Sequence, residues 1–337
     1  MQDTRFDLIS QWTREQLNNP RLILTPASGD ASFRRYFRTQ VDEQSYILMD
    51  APPEKEDCES FVKIAQAFRA LGLNVPEIIK ADHQRGFLLL SDLGNIQYLA
   101  ALNANTAEQM YGDAMQSLLT LQLNADQTAL PLPPYNADLL WKEMSLFGDW
   151  FLRQHMQIKL SADQERDLLA ACKLIANEAL SQPQVWVHRD YHSRNLMVTA
   201  RNNPGILDFQ DAVLGPITYD LVSLLRDCYI SWPVEQVIHW VDEFRRDLNS
   251  SGKFATMEQL EFQKWFDYMG IQRHMKAIGI FSRLQHRDEK AGYLKDIPRT
   301  LNYVLEISHN YSELAAINQL IHTEVTPLLD MQTGQRK

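Results

Sequence analysis

Cysteine is scarce in this 337-residue chain: Cys58, Cys172 and Cys228 lie far apart, are odd in number and form no C-x-x-C unit. Neither a disulfide framework nor a zinc site is implied, and the usage fits a reducing compartment. Long apolar runs are also missing. The longest, such as Phe87-Leu88-Leu89-Leu90, have the length of strands, far short of the roughly 18 residues of a membrane helix. Met1 to Asp7 carries acids where a secretory signal carries bases, so a cytoplasmic protein without a membrane segment is expected. Basic residues are in deficit, 33 Lys and Arg against 43 Asp and Glu, for a net charge of −10. Phosphate-backbone binding needs clustered cations, so no nucleic-acid partner is expected. What remains is ordinary globular composition, 45% hydrophobic and 23% charged, with length for one large or two medium cores.

Periodicity divides the chain. Residues 5 to 19 repeat apolar positions at helical spacing (Phe6, Ile9, Trp12, Leu17) and stop at Asn18-Asn19-Pro20. Short apolar runs bounded by turn residues then predict strands at Leu22–Leu24, Ser45–Met49, Val75–Ile79 and Gly86–Leu90, with a helix over 56 to 71. Beyond Ser91–Gly94 the pattern is mostly helical, at about 107–123, 136–156, 162–180, 234–249, 257–286 and 297–320. One strand-rich island interrupts it, from Val185–Val187 through Leu196–Val198 to Gly205–Leu207. No repeat or low-complexity tract appears. Trp141, Phe147, Trp150 and Phe151, near helical spacing, read as core.

The island carries the chemistry. His188, Asp190 and Asn195 form H-x-D-x-x-x-x-N, and Asp208-Phe209 follows thirteen positions after Asn195. Flanking strands place these polar groups on loops at strand ends. A hydroxyl nucleophile needs a carboxylate to orient it and accept its proton, and Asp190 is the candidate. A transferring phosphoryl group needs Mg²⁺ with hard oxygen ligands, which the Asn195 amide and the Asp208 carboxylate supply. His188 would brace the loop. His192 has a place near the transferring phosphate or as an exposed loop histidine, and Asp211 near the metal or as a turn cap.

The string His-Arg-Asp-Tyr-His-Ser-Arg-Asn and Leu207-Asp208-Phe209-Gln210 resemble the kinase catalytic and D-F-G segments. Gln210 at the glycine position, with Gly215-Pro216-Ile217-Thr218-Tyr219-Asp220-Leu221 after it, is similar to the aminoglycoside phosphotransferase and choline kinase superfamily. That resemblance gives Asp220 the role of anchoring the catalytic loop. The blocks Gly29–Tyr36, Met49–Glu54 and Asp208–Pro233 resemble the bacterial kinases that phosphorylate the anomeric hydroxyl of N-acetylmuramate and N-acetylglucosamine in cell-wall recycling. Together they cover residues 29 to 233.

The resemblance implies an α+β, two-lobed protein-kinase-like fold: a small antiparallel-sheet lobe over 1–91 and a larger helical lobe over 92–337. It implies ATP and Mg²⁺ as cofactors and an amino sugar as acceptor. Adenine would meet Leu90, Asp92 and Leu93. Gly29 and Ser32 would let backbone amides approach phosphates. The strand lysine of kinases is replaced by Met49, so a cation from Arg34, Arg35 or Arg38 would grip the phosphates instead. Other acceptors stay open at this point: an aminoglycoside, choline, ethanolamine or homoserine, with Asp211, Asp227 and Glu143 as carboxylates for a cationic one. A nucleotide-binding protein without transferase activity is a further alternative, supported by Met49 and opposed by the intact Asp190, Asn195 and Asp208.

Overall fold

A computed structural model describes residues 3–29 and 33–334. The strands are β1 (Thr25–Gly29), β2 (Arg35–Val41), β3 (Gln44–Asp50), β4 (Ile78–Asp82), β5 (Phe87–Ser91), β6 (Gln184–Val187), β7 (Leu196–Met197), β8 (Gly205–Ile206) and β9 (Val213–Pro216). The helices that matter below are α1 (Thr4–Gln16), α2 (Cys58–Ala70), α3 (Tyr98–Ala101), α4 (Ala107–Asn124), α5 (Ala137–Leu146), α6 (Ala162–Ser181), α7 (Tyr219–Leu225), α8 (Val234–Ser250), α9 (Gln259–Asp288) and α10 (Ile297–His309). This is an α+β fold in two compact units: residues up to Pro131 with Arg194–Ala212, and Leu132–Ser193 with Val213 onward.

The first unit is built on an antiparallel sheet in the order β1-β2-β3-β5-β4. Period-2 alternation sends Leu48, Phe87 and Leu89 to one face, where they join Ile9 and Trp12 of α1 with Leu22, Leu24 and Phe37 in a buried cluster. Met49 pairs with Leu88 across β3 and β5 and is fully buried. The kinase lysine position is therefore a core position here. Phe61 and Phe68 of α2 pack on Phe209, with ring centroids 4.8 and 5.8 Å apart. α2 starts on Asp57, whose side chain accepts from the Glu59 amide at 2.8 Å, and stops before Gly72, which adopts φ +88°.

Two expected strands are shifted. Leu22–Leu24 is outside the ladder, and the strand begins at Thr25. Leu22 and Leu24 point into the core while Ile23 is exposed, and the Ile23 carbonyl accepts from the Thr39 hydroxyl at 2.9 Å in place of a ladder bond. Val75–Ile79 gives way to a strand beginning at Ile78. Pro76 has no N–H to donate, and the Val75 amide turns to the Leu73 carbonyl at 3.1 Å.

The second unit is dominated by α9, a 30-residue helix that packs on α5, α6, α7 and α10. α6 opens with a capping box between Ser161 and Gln164. α5 continues as a π-helical segment, Phe147–His155, so the helix expected over 136–156 changes its pitch midway. Phe147 and Phe151 are fully buried, as the core reading expects, whereas Trp141 and Trp150 are half-buried. The helix expected over 297–320 breaks after His309. Tyr311 is extended there, and its hydroxyl donates to Asp267 at 2.7 Å. Antiparallel β6 and β9 pair Val187 with Val213 and carry the chain to His188.

Candidate active site

Within the first unit a cavity of about 450 Å³ is walled by Ile47, Phe61, Leu90, Met197, Leu207 and Phe209. Its polar lining includes Arg38, Asp92, Asn195 and Asp208, so six of the expected cofactor and metal residues, with Leu90 and Leu93, come together there. An apolar slot with a few polar groups at its ends suits a flat heterocycle joined to a charged tail.

The connector after β5 is held rigidly. The Asp92 carboxylate accepts from Arg38 Nε at 2.6 Å, Ser45 Oγ at 2.5 Å and the Gly94 amide at 2.9 Å. Those contacts hold its pKa below the ordinary carboxylate range against the opposing effect of burial. Arg38 also donates to the Gly94 carbonyl at 2.9 Å. Its guanidinium therefore clamps the connector. The Leu93 backbone N–H and C=O make no hydrogen bond among the described residues, leaving a donor and an acceptor at the cavity edge.

Arg34 and Arg35 have different neighbours. Arg35 bonds Asp50, at 3.0 Å from Nε, and Asp3; the buried Asp50 is shared with Arg5. Arg34 pairs with Glu56 at 2.7 Å. Its guanidinium is half-buried, and Tyr36, Glu56, Asp208 and Asp211 together raise its pKa despite desolvation, the largest single effect. Arg34 is thus the arginine of the three that stands in the field of Asp208. Gly29 closes β1 opposite Arg35. Ser32 lies outside the described residues.

The β7–β8 hairpin positions Asn195 and Asp208. It is tied by Val198 N to Ile96 O at 2.8 Å and by Ile206 N to Asn74 O at 2.7 Å. Asn203 adds bonds to the Tyr98 hydroxyl and to Asp113 at 2.6 and 2.8 Å. Asn195 Nδ2 lies 3.2 Å from Asp208 Oδ2, and Leu207 N bonds Asn195 O at 2.9 Å. Asp208 has φ +62°, a left-handed conformation costly for a non-glycine residue and concentrated at functional sites. Gln210 Nε2 donates to Asp208 Oδ1 at 2.7 Å and lies 3.4 Å from Asp211 Oδ2. The donor set of amide and carboxylate oxygens fits Mg²⁺, which prefers hard oxygen ligands. Rotation of the Asn195 amide about its last torsion presents oxygen in place of nitrogen.

The second unit holds residues 188–193 of the expected catalytic loop. The buried Asp220 at the start of α7 accepts the amides of His188 at 2.6 Å and Arg189 at 2.9 Å. This is the anchoring contact expected of it. Burial pushes the Asp220 carboxyl up to about 7, with the two amides opposing. Arg189 is held at φ +77°. His188 is buried and its Nδ1 accepts the Asp190 amide at 3.2 Å, bracing the loop. Ser193 donates to the buried Asp227 through N at 3.0 Å and Oγ at 2.5 Å, and the Tyr229 amide bonds the other Asp227 oxygen at 2.9 Å.

Asp190 is surrounded by cations. Burial raises its pKa, but Lys276, His192, Arg273 and Arg189 outweigh that effect and draw it down to about 2. It is ionised at neutral pH. His192 is buried against Tyr229, with ring centroids 5.3 Å apart. Beneath the loop, Glu143 of α5 accepts from Arg189 Nη2 at 2.6 Å, Lys276 Nζ at 3.1 Å and Gln272 Nε2 at 3.1 Å, and also from the Tyr135 hydroxyl. Lys276 donates to the Tyr219 hydroxyl at 2.9 Å. Glu143, Lys276 and Arg273 were not predicted as parts of this apparatus. Their positions in the chain, tens of residues from the loop, carry no local pattern that would have marked them.

A buried ionised carboxylate in one unit, and an Asn–Asp oxygen pair beside a slot for a heterocycle in the other, match the parts that phosphoryl transfer needs. The chain belongs to the phosphotransferase enzyme family, whose sequence model matches residues 23–262. It is 42% identical to the N-acetylmuramate/N-acetylglucosamine kinase of Pseudomonas putida, over 99% of this chain and 98% of that one. The choline kinase of Streptococcus pneumoniae shares the fold at 11% identity and TM-score 0.62, covering 89% of this chain and 99% of that one. The aminoglycoside phosphotransferase APH(2'')-Ib, solved with ADP bound, is similar at 16% identity and TM-score 0.57, over 89% and 98% of the two chains.

Proposed function

We propose that the protein transfers the γ-phosphoryl group of ATP to the anomeric hydroxyl of a free amino sugar, N-acetylmuramate or N-acetylglucosamine, giving the sugar 1-phosphate and ADP. The observation that carries this reading is the 42% identity, over almost the full length of both chains, to a relative named N-acetylmuramate/N-acetylglucosamine kinase; the anomeric position rests on the resemblance of the sequence blocks. The site is consistent with it. By role we assign 1–91 to nucleotide binding and 92–337 to catalysis and acceptor binding, a division that differs from the two compact units, where 92–131 and 194–212 go with the first. Leu93 offers its backbone to the adenine edge, with Leu90 and Asp92 shaping the slot. Arg34 supplies the cation for the phosphates that Met49 does not, and Gly29 at the end of β1 lets backbone amides approach them. Arg38 serves the nucleotide by fixing the connector.

Asn195 and Asp208 hold Mg²⁺, which when bound neutralises charge on the transferring phosphoryl group. Asp190 accepts a hydrogen bond from the anomeric hydroxyl, orients its oxygen and takes its proton as the new P–O bond forms. An anomeric hydroxyl is more acidic than an ordinary alcohol, so a carboxylate held near pKa 2 can serve mainly by positioning. His188 keeps the loop in register, and His192 helps to draw the Asp190 pKa down.

A cationic acceptor is poorly supported. Of the carboxylates that would attract one, Glu143 and Asp227 are buried and committed to Arg189, Lys276, Ser193 and Tyr229. Among the described residues no helix is long and apolar enough to cross a membrane, in keeping with a cytoplasmic enzyme acting on recycled sugars.

The test is an ADP-release screen of the full chain with N-acetylmuramate, N-acetylglucosamine, a kanamycin-type aminoglycoside and choline. Turnover of an amino sugar, with a product resistant to reducing-end oxidation, is expected. Turnover of another acceptor while both amino sugars fail overturns the reading.

A further inference from the structure

Resting on the phosphoryl-transfer reading above, we propose that Gln210 is a positioning residue of the Mg²⁺ site: its amide N–H holds the Asp208 carboxylate, and its Oε1 accepts a hydrogen bond from a water that the ion brings with it. Gln210 stands where the kinase D-F-G segment has glycine. A side chain at that position can do work that glycine cannot.

The Asp208 carboxylate is held from two sides. Oδ1 accepts from Gln210 Nε2 at 2.7 Å, and Oδ2 lies 3.2 Å from Asn195 Nδ2. The two contacts have different fates when a cation arrives. Asn195 must turn its amide to offer oxygen, which gives up the Nδ2 contact and frees Asp208 Oδ2. Gln210 has no such turn to make and keeps its bond to Oδ1. It is therefore the amide that fixes the direction of Asp208 while the metal is held, as the outer partners of metal ligands do.

The backbone behind Gln210 is firmly placed. Phe209 is fully buried against Phe61 and Phe68, and the Ala212 amide closes a turn onto the Phe209 carbonyl at 3.1 Å. Gln210 itself is only 8% exposed. Its Nε2 also lies 3.4 Å from Asp211 Oδ2, so one neutral amide reaches both carboxylates.

Oε1 is the observation that points to a ligand. It is buried and has no donor among the described residues, although Nε2 of the same amide is paired. An amide serving only as a brace is expected to have both ends satisfied, because an unpaired buried polar atom costs stability. Turning the amide over gives no relief, since oxygen would then face Asp208 and Asp211. Mg²⁺ gives up its waters reluctantly and keeps several when bound through one or two carboxylates. Donors thus accompany it to Asp208, beside which Oε1 lacks one.

The experiment titrates Mg²⁺ into the full chain with a non-hydrolysable ATP analogue, by calorimetry, for the wild type, Gln210→Met and Gln210→Glu. Methionine keeps the length and removes both contacts, whereas glutamate keeps an oxygen acceptor and removes the donor. In Gln210→Met the Mg²⁺ concentration at half-saturation is expected to rise by about 10- to 100-fold, the usual effect of losing a residue that orients a metal ligand. Binding of the analogue without metal is expected to be unchanged, and excess Mg²⁺ to restore the rest. Gln210→Glu is expected to fall between Gln210→Met and the wild type.

An unchanged Mg²⁺ dependence in Gln210→Met overturns the proposal and leaves the kinase reading standing. Gln210→Glu no better than Gln210→Met overturns the role of Oε1. A loss that appears without metal and that no Mg²⁺ concentration restores assigns Gln210 to the fold alone, which also overturns it. A wild type whose nucleotide binding ignores Mg²⁺ overturns the kinase reading and this proposal with it.

Discussion

Arg189 donates from Nη2 to the buried carboxylate of Glu143 at 2.6 Å, joining the residue before Asp190 to a helix 46 positions away in sequence. The same Glu143 oxygen takes Lys276 Nζ at 3.1 Å. Two cations that face Asp190 are thus fixed by one carboxylate. The arrangement is internal to the second unit.

Glu143→Gln is expected to destabilise the protein at neutral pH by about 3 to 5 kcal/mol, because it removes the carboxylate that bonds both Lys276 and Arg189. The pH dependence has a definite sign. Burial raises the Glu143 pKa, but Lys276 and Arg189 outweigh it and leave it lowered. Its contribution is therefore present above the ordinary glutamate pKa and is lost as pH falls through the lowered folded value. Urea unfolding of wild type and variant over pH 3 to 7 checks this. The stability gap closes toward the acid end, and a gap constant with pH contradicts the charged hub.

Asp190→Asn is expected to reduce turnover by roughly 10²-fold or more while nucleotide affinity changes little. Steady-state rates beside a nucleotide titration make the comparison. Equal losses in both would show that the loop had collapsed rather than lost its proton acceptor.

The loop proposed as catalytic stands out in the sequence because its parts are local. His188, Asp190 and Asn195 occupy one short turn after a strand, and Asp208 follows the next hairpin. Asp220, too, was legible from its block, and it anchors His188 and Arg189. The charge environment was not. Glu143, Arg273 and Lys276 lie on helices whose sequences read as ordinary amphipathic segments, and only tertiary packing turns those polar positions inward. The arginine cluster shows the same limit. Three arginines within five residues look alike in sequence, yet Asp92 takes Arg38, Asp50 takes Arg35, and Glu56 holds Arg34 within the field of Asp208. The Leu22–Leu24 run misled for a related reason: apolar alternation reports burial, and whether a ladder partner exists is decided elsewhere in the chain.

Arg34→Ala is expected to raise the KM for ATP by about 10- to 100-fold, the loss of one charge-assisted phosphate contact, with a smaller effect on the acceptor's KM. Arg38→Ala provides the contrast. Removing it releases Asp92 and loosens the connector, so its main effect is on thermal stability. Nucleotide affinity unaffected by Arg34→Ala reassigns the phosphate cation.

Lys276→Met tests how Asp190 is kept ionised. The groups facing Asp190 are Lys276 and Arg273 from α9, His192 and Arg189 from its own loop, and Asp220 from α7. Lys276 exerts the largest attraction among them. Its removal leaves burial less opposed, so the Asp190 pKa rises from about 2. An opposite charge at close range lowers a carboxyl by about 1 to 3 units, so the acid limb of kcat/KM moves up by about that much. The folded value lies below the ordinary aspartate pKa, so Asp190 stabilises the wild type above that ordinary value and ceases to as pH falls through about 2. Lys276→Arg keeps the charge and is expected to leave the limb where it is. A limb that stays fixed in Lys276→Met would mean that Arg273, His192 and Arg189 suffice, and that Lys276 serves only to neutralise Glu143.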